Sequence, residues 1–462
     1  MHELKPFDIA IVGGGRAGVA AALRAAERGA RVCLVEKDRL GGAGLQSGLA
    51  CLGVVMDSLG LTRGVRPPSP GETGPSPQPS LDIPLLFDKV RGAARALSEE
   101  RQRSLQAKGV VLLKGTGTLL DATHLTVATT DGGNESVEAK SIILATGSQT
   151  DALPAMPFDD RDIISSDDIL KSADIPQSVM VVGGGGAACE TATLLNRLGS
   201  RVFLCVPRAR LLPEADPDVA AMLEKALKNR KIKLLLHKKP ESFYKNNDKM
   251  EICLEGGIKF SVHKIVAAGE MRKPHSETLG ANSPKIRLGE QGEVLVNEKM
   301  ETSVSGLYAI GGITGRAPSP VLSSEEAKVA VGNALGTPKS LDRGKMPFIV
   351  YSEPELAGVG CLAGEAHHKG YRAVEGCADR LDRPVVTGGD AEFFKIVVDR
   401  STRKVIGGHI LAHRASEKIV PVWLAVQKGL TAADLAGLPH GTASQGIREA
   451  ARTALRALKT GR

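Results

Sequence analysis

Two stretches of this chain read almost as copies of one another: DIAIVGGGRAGVAAALRAAERGARVCLVE, beginning at Asp8, and SVMVVGGGGAACETATLLNRLGSRVFLCV, beginning at Ser178. Each is a continuous apolar run, a glycine cluster, an Ala/Leu-rich helical stretch closed by a glycine, and a second apolar run. That order is a βαβ unit, in which parallel strands are joined by a crossover helix. Two such units predict two Rossmann-like folds, each with its own nucleotide, and a chain of 462 residues leaves room for about three domains.

The glycines are placed as a dinucleotide cradle requires. Gly13, Gly15 and Gly18 form GxGxxG. The first makes the turn, the second lets the backbone approach a diphosphate, and the third lets helix and strand pack closely. The exposed N–H groups of the helix start then face the phosphates. Glu36 closes the second strand, where an acid binds ribose hydroxyls, and Lys37 follows it. In the second unit Gly183, Gly185 and Ala188 form the GxGxxA variant, and Val206 stands where Glu36 stands in the first. Arg208 and Arg210 follow in VPRAR. An acid lost and arginines gained fits a nucleotide with a 2′-phosphate, hence NADPH, with NADH possible if both arginines are surface charges.

Between the units, KSIILATGSQT (140–150) reads as a strand ending in a tight turn, and SGLYAIGGITG (305–315) repeats that pattern after the second unit. The first domain is therefore expected to resume there, with the second inserted into it: 1–150 and 275–344 around 151–274. Gly42, Gly117, Ala145, Thr146, Gly147, Gly269, Gly311 and Gly312 are the further residues expected at the nucleotides. From residue 345 onward the pattern changes. FFKIVVDRSTRKVIGGHILA predicts two strands about a turn, with helical patterns at 416–429 and 444–458, so 345–462 reads as a separate α+β domain. The segment 62–84, rich in Pro, Gly and Ser, reads as an exposed loop, either inert or bordering the first nucleotide.

Composition excludes more than it selects. The net charge of +8 is spread along the chain, with no basic arm and no aromatic–basic alternation, so nucleic acid is not expected. The start, MHELKPFD, has no apolar h-region and no run reaches membrane-span length; a soluble cytoplasmic protein is expected. Seven cysteines (Cys33, Cys51, Cys189, Cys205, Cys253, Cys361, Cys377) form no CxxC or CxxxxC unit, which implies a reducing compartment without structural disulfides. No metal site is expected.

The two units, ATGS at 145–148, YAIGG at 308–312, FIVYSEPELAGVG at 348–360 and LPHGTASQGIREAA at 438–451 together resemble the pyridine nucleotide–disulfide oxidoreductases, nearest to dihydrolipoamide dehydrogenase, over almost the whole chain. The resemblance implies a homodimer with FAD in the first unit, NAD(P)H in the second and a C-terminal dimerisation domain. It also implies a redox disulfide beside the flavin and a histidine from the partner subunit as acid/base.

This chain departs from that pattern at the chemistry. The family peptide GGTCLNVGCIPSK, laid without gaps on GGAGLQSGLACLG (41–53), puts its cysteines on Gly44 and Leu49 and its lysine on Gly53. Glu190, which matches the lysine's partner, remains. A two-residue insertion would bring Cys51 onto the second cysteine; otherwise Cys51 is a helix-face core residue. His440 matches the acid/base histidine, but Gln445 replaces the glutamate that would orient it, so His440 is either a weakened base or an interface residue. Gly312 replaces the aspartate that would bind the ribityl chain, a loss on the order of 2 kcal/mol. These departures predict an NAD(P)H-oxidising flavoenzyme passing electrons to a small-molecule or protein acceptor other than a disulfide: a quinone, another nicotinamide or a protein carrier. The alternatives are a non-catalytic nucleotide-binding partner protein and a true disulfide reductase.

Overall fold

The apolar run FDIAIV becomes a strand, Phe7–Val12, in which every residue but Asp8 is buried. It is flanked in parallel by Val32–Glu36 on one side and Asn134–Leu144 on the other, so both faces of the sheet are covered and the run need not alternate. Val111–Leu119 and Leu307–Ala309 extend this sheet at its two sides, and the strand His124–Thr129 pairs antiparallel with both Val111–Leu119 and Asn134–Leu144. The computed structural model describes residues 5–46, 82–153, 157–171, 175–269, 272–280, 285–315, 319–379, 392–439, 441 and 444–460.

A second parallel sheet runs in the order Lys233–Leu236, Arg201–Val206, Ser178–Val182, Lys264–Ala267, Ile163–Ser165. An antiparallel sheet of Pro240–Asn246, Lys249–Leu254 and Ile258–Val262 adjoins it. The chain crosses between the two parallel sheets twice. At those crossings Ser148–Thr150 and Arg272–Pro274 pair antiparallel, and Arg272 ties them by bonding Ser148 and Thr150 while pairing with Asp167 at 3.3 Å.

The C-terminal block forms an antiparallel sheet in the order Phe348–Val350, Glu355–Gly360, Val405–Ala412, Phe393–Asp399, Ala373–Ala378. The expected strand pair is Phe393–Asp399 with Val405–Ala412. The helical pattern at 416–429 is split into Ala415–Lys418 and Val420–Lys428, where Pro421 sits in the first turn of the second helix. Gln445–Thr460 lies on the sheet through small residues: a Cβ at Gly376 would stand 2.1 Å from the Ala450 carbonyl oxygen.

The segment 62–84 needs one correction. Residues 62–81 lie outside the described ones, but its end opens a long helix, Ile83–Ala107, capped by Asp82 through the Leu85 N–H. Pro84 falls in the first turn, where a missing N–H leaves no bond unmade. Among the described residues no helix is long and apolar enough to cross a membrane.

Candidate functional site

The two glycine turns share one hydrogen-bond scheme. Gly13 donates its N–H to Val35 and Gly183 to Cys205, while Ala145 donates to Val12 and Ala268 to Val182. Each turn is thus pinned between two strands. At Gly13 φ is +106°, and a Cβ would lie 2.4 Å from the Ala145 oxygen; at Gly183 φ is +147°, and a Cβ would lie 2.6 Å from the Ala268 oxygen. A Cβ at Gly18 would be 1.8 Å from the Gly13 oxygen. Ala188 can replace glycine at the corresponding place, fully buried beside Gly183. Gly15 and Gly185 are the residues before the helices Arg16–Ala26 and Gly186–Arg197, and neither helix start has a side-chain cap. Uncapped N–H groups beside bare backbone are what a diphosphate needs.

Glu36 stands at the strand end, where its carboxylate accepts the N–H of Gly14 at 2.5 Å and of Asp38 at 2.8 Å. These two bonds fix the orientation of the carboxylate. Lys37 is exposed beside it. A Cβ at Gly42 would lie 3.0 Å from the Gly15 Cα, so the short helix Gly42–Gln46 closes on the same turn. Gly117 packs under Val12 and Val35, and a Cβ there would be 3.1 Å from Val12. Thr146 bonds the His275 carbonyl through its hydroxyl, and Gly147, at φ +79°, accepts the His275 N–H.

At the second turn the buried Val206 occupies the place of Glu36. Gly269 has φ +71° and approaches Ala187. The two arginines differ in what they do. Arg210 donates to the carbonyls of Leu212, Pro213 and Ala215, so its guanidinium folds the loop onto itself. Arg208 is exposed at the end of Arg201–Val206.

Around the peptide 41–53 the described residues end at 46, so Leu49, Cys51 and Gly53 lie outside them. Gly44 is within them, and the Arg16 Nη2 stands 4.0 Å from where its Cβ would be. Gly312 has a steric reason: a Cβ there would meet the Ser148 Oγ at 2.6 Å and its N at 2.9 Å, so Ser148 takes up the space an aspartate would need. Next to it, Gly311 donates its N–H to Glu326 at 2.7 Å, and Arg343 holds the other oxygen of that buried carboxylate at 2.7 Å. Sequence patterning conceals Glu326 as a site residue, because EEAKVA reads as ordinary helix. Two of the described thiols are unsuited to redox work: burial pushes Cys33 up to about 12 and raises Cys189 as well.

Glu190 lies on the helix Gly186–Arg197 and is 7% exposed. In place of a lysine it accepts the N–H of Tyr351, 161 residues away, at 2.9 Å. Burial raises its pKa to about 7, with the Tyr351 N–H opposing in part. The folded value lies above the ordinary 4.5, so the folded chain holds this proton where the unfolded chain releases it. Its contribution to stability is complete below the ordinary value and is lost as pH rises through the folded one. Glu190→Gln is expected to gain about 3 kcal/mol relative to the parent between about pH 5 and pH 8, read from urea midpoints. Parallel pH profiles for the two chains would contradict this. His440 lies outside the described residues; Gln445 begins the last helix, its N–H bonded to Gly441.

Residues 7–334 match the family described as Pyridine nucleotide-disulphide oxidoreductase, and residues 346–451 match that family's dimerisation domain. The chain is 32% identical over 463 residues to a dihydrolipoyl dehydrogenase of Thermus scotoductus, covering 97% of each. It is 29% identical to a mercuric reductase of Staphylococcus aureus, covering 97% of this chain and 82% of that one. Among solved structures, LpdA from Mycobacterium tuberculosis superposes with a TM-score of 0.87 at 27% identity, covering 96% of this chain and 98% of that one.

Proposed function

This chain belongs to the pyridine nucleotide–disulphide oxidoreductase family, a family of FAD-dependent enzymes, and we propose that it oxidises NAD(P)H and delivers the electrons to an acceptor that is not a disulfide. In this reading 1–150 and 275–344 hold FAD, 151–274 hold the nicotinamide nucleotide, and 345–462 pair two subunits. The observation that carries it is Gly44: the place matched to the first family cysteine has no side chain, and the guanidinium of Arg16 stands over it. No CxxxxC unit exists elsewhere in the sequence to replace it. FAD, when bound, supplies a ring that takes up hydride and passes on its electrons.

This chain's own residues bind and orient. The helix starts after Gly15 and Gly185 present N–H groups to two diphosphates, Glu36 presents a carboxylate to the ribose of the first nucleotide, and Gly42, lacking a Cβ, lets the next short helix pack against Gly15. Ser148, supported by the Arg272 Nε at 3.0 Å, supplies a hydroxyl beside Gly312 in place of a carboxylate. NADPH is the preferred donor in this reading because Arg208 follows a strand that ends without an acid.

Anaerobic visible spectroscopy tests the reading. The purified protein is expected to be yellow, to bleach with NADPH and to show no long-wavelength thiolate–flavin band. It is expected to reduce a quinone or dye but not lipoamide, with kcat/KM for NADPH about tenfold above NADH, the worth of one charged contact. Lipoamide turnover would refute the acceptor assignment, and an NADH preference would refute the role of Arg208.

A further inference from the structure

The long helix Ile83–Ala107 brings a charged side chain to the first glycine turn. Arg101 extends from it to the Gly41 backbone, where a Cβ would lie 2.6 Å from its Nη1. That Nη1 is buried and has no hydrogen-bond partner among the described residues. Gly41 is not a bystander: its N–H bonds the Gly14 carbonyl at 2.7 Å, and it bridges Gly15, the residue before the helix Arg16–Ala26. From that helix start Arg16 extends to Gly44. The two guanidinium groups therefore both reach the Gly41–Gly44 stretch, close enough that the charge of Arg16 adds to burial in lowering the basicity of Arg101. A half-buried cation with an unmade N–H and a second cation beside it is an arrangement completed by an anion.

We propose that Arg101 and Arg16 form a two-armed clamp on the diphosphate of the dinucleotide held by the first glycine turn. The inference rests on the reading that FAD occupies this turn. A diphosphate matches the placement better than a single carboxylate. The glycine turn already directs the middle of a dinucleotide to this spot, with Glu36 aligned to the neighbouring ribose, and two planar guanidinium forks suit two phosphate groups. Neither arginine stands out in sequence: Arg16 occupies a variable place in GGGRAG, and Arg101 is one of several charged residues in SEERQRS.

The test compares FAD with riboflavin, which carries the same ring without the diphosphate, in titrations of the full-length protein stripped of flavin. Arg101→Met keeps the length and apolar stem of the side chain. It is expected to raise the Kd for FAD about tenfold or more while leaving riboflavin within about twofold, since one charge-assisted bond is worth about that factor. Inorganic diphosphate is expected to compete with FAD on the parent and less on the variant. If Arg101→Met does not fold, Arg16→Met carries the test with the same expectation. An unchanged FAD Kd, or equal losses for FAD and riboflavin, overturns the clamp while leaving the flavin reading intact. A parent chain that takes up no FAD overturns both.

Discussion

A Gly18→Val chain is expected to purify without flavin. The reason is local and steric: any Cβ at this position lies 1.8 Å from the Gly13 carbonyl oxygen, and that carbonyl belongs to a turn held between two strands through Val35 and Ala145. Neither side can yield. The helix Arg16–Ala26 must move off the sheet, taking its N-terminal N–H groups away from the diphosphate, or the turn must break. Loss of that contact set corresponds to several kcal/mol, well over a hundredfold in affinity. The measurement is the flavin-to-protein absorbance ratio after purification and after refilling with excess FAD. The second turn supplies the control. Ala188→Gly removes one methyl from a place that already accepts it, so that chain is expected to keep its flavin and most of its NAD(P)H oxidation. A yellow Gly18→Val protein would mean that the first unit is not the flavin site.

Positions such as Gly18 are legible in the sequence because the two cradles depend on backbone: small residues at fixed spacing, between apolar runs, admit few alternatives. The matched hydrogen bonds Gly13 to Val35 and Gly183 to Cys205 are the physical content of the repeat. Side-chain partnerships are not legible, whether the partner is near or far along the chain. Glu190 reads as a carboxylate without its lysine, yet it is capped by the Tyr351 N–H from the C-terminal block. Arg210 reads as a phosphate ligand, yet three carbonyls of its own loop hold it. Glu326 reads as helix surface, yet it orients the Gly311 turn with Arg343. In each instance the deciding neighbour is set by how loops fold and elements pack, which periodicity does not encode. Gly312 lies between these cases: its lack of a carboxylate is plain from the residue itself, but the steric cause, Ser148, is distant in the chain and meets it only through folding.

Lys395 shows the same limit with the largest consequence for stability. It sits on the strand Phe393–Asp399, 2% exposed, and its Nζ pairs with Asp216 at 3.0 Å, Asp218 at 2.5 Å and Glu375 at 3.2 Å. Asp216 is equally buried and caps the helix Pro217–Asn229 through the N–H groups of Asp218 and Val219. The pair thus joins the second parallel-sheet unit to the C-terminal sheet. Burying one ion here is tolerable only because the other is present. Lys395→Met fills similar volume but strands the Asp216 charge, and is expected to destabilise the chain by about 3–5 kcal/mol. Asp218→Asn, at a side chain 64% exposed, is expected to change stability by less than about 1 kcal/mol despite its shorter contact, because water screens that partner. The double change Lys395→Met with Asp216→Asn distinguishes charge from packing. If the loss arises from the uncompensated carboxylate, neutralising it restores at least half of the stability while Asn still caps the helix. If the double variant is no more stable than Lys395→Met alone, the ammonium was filling space rather than balancing charge, and the second unit is held to the C-terminal sheet by packing around Val350, Leu356 and Phe393 instead.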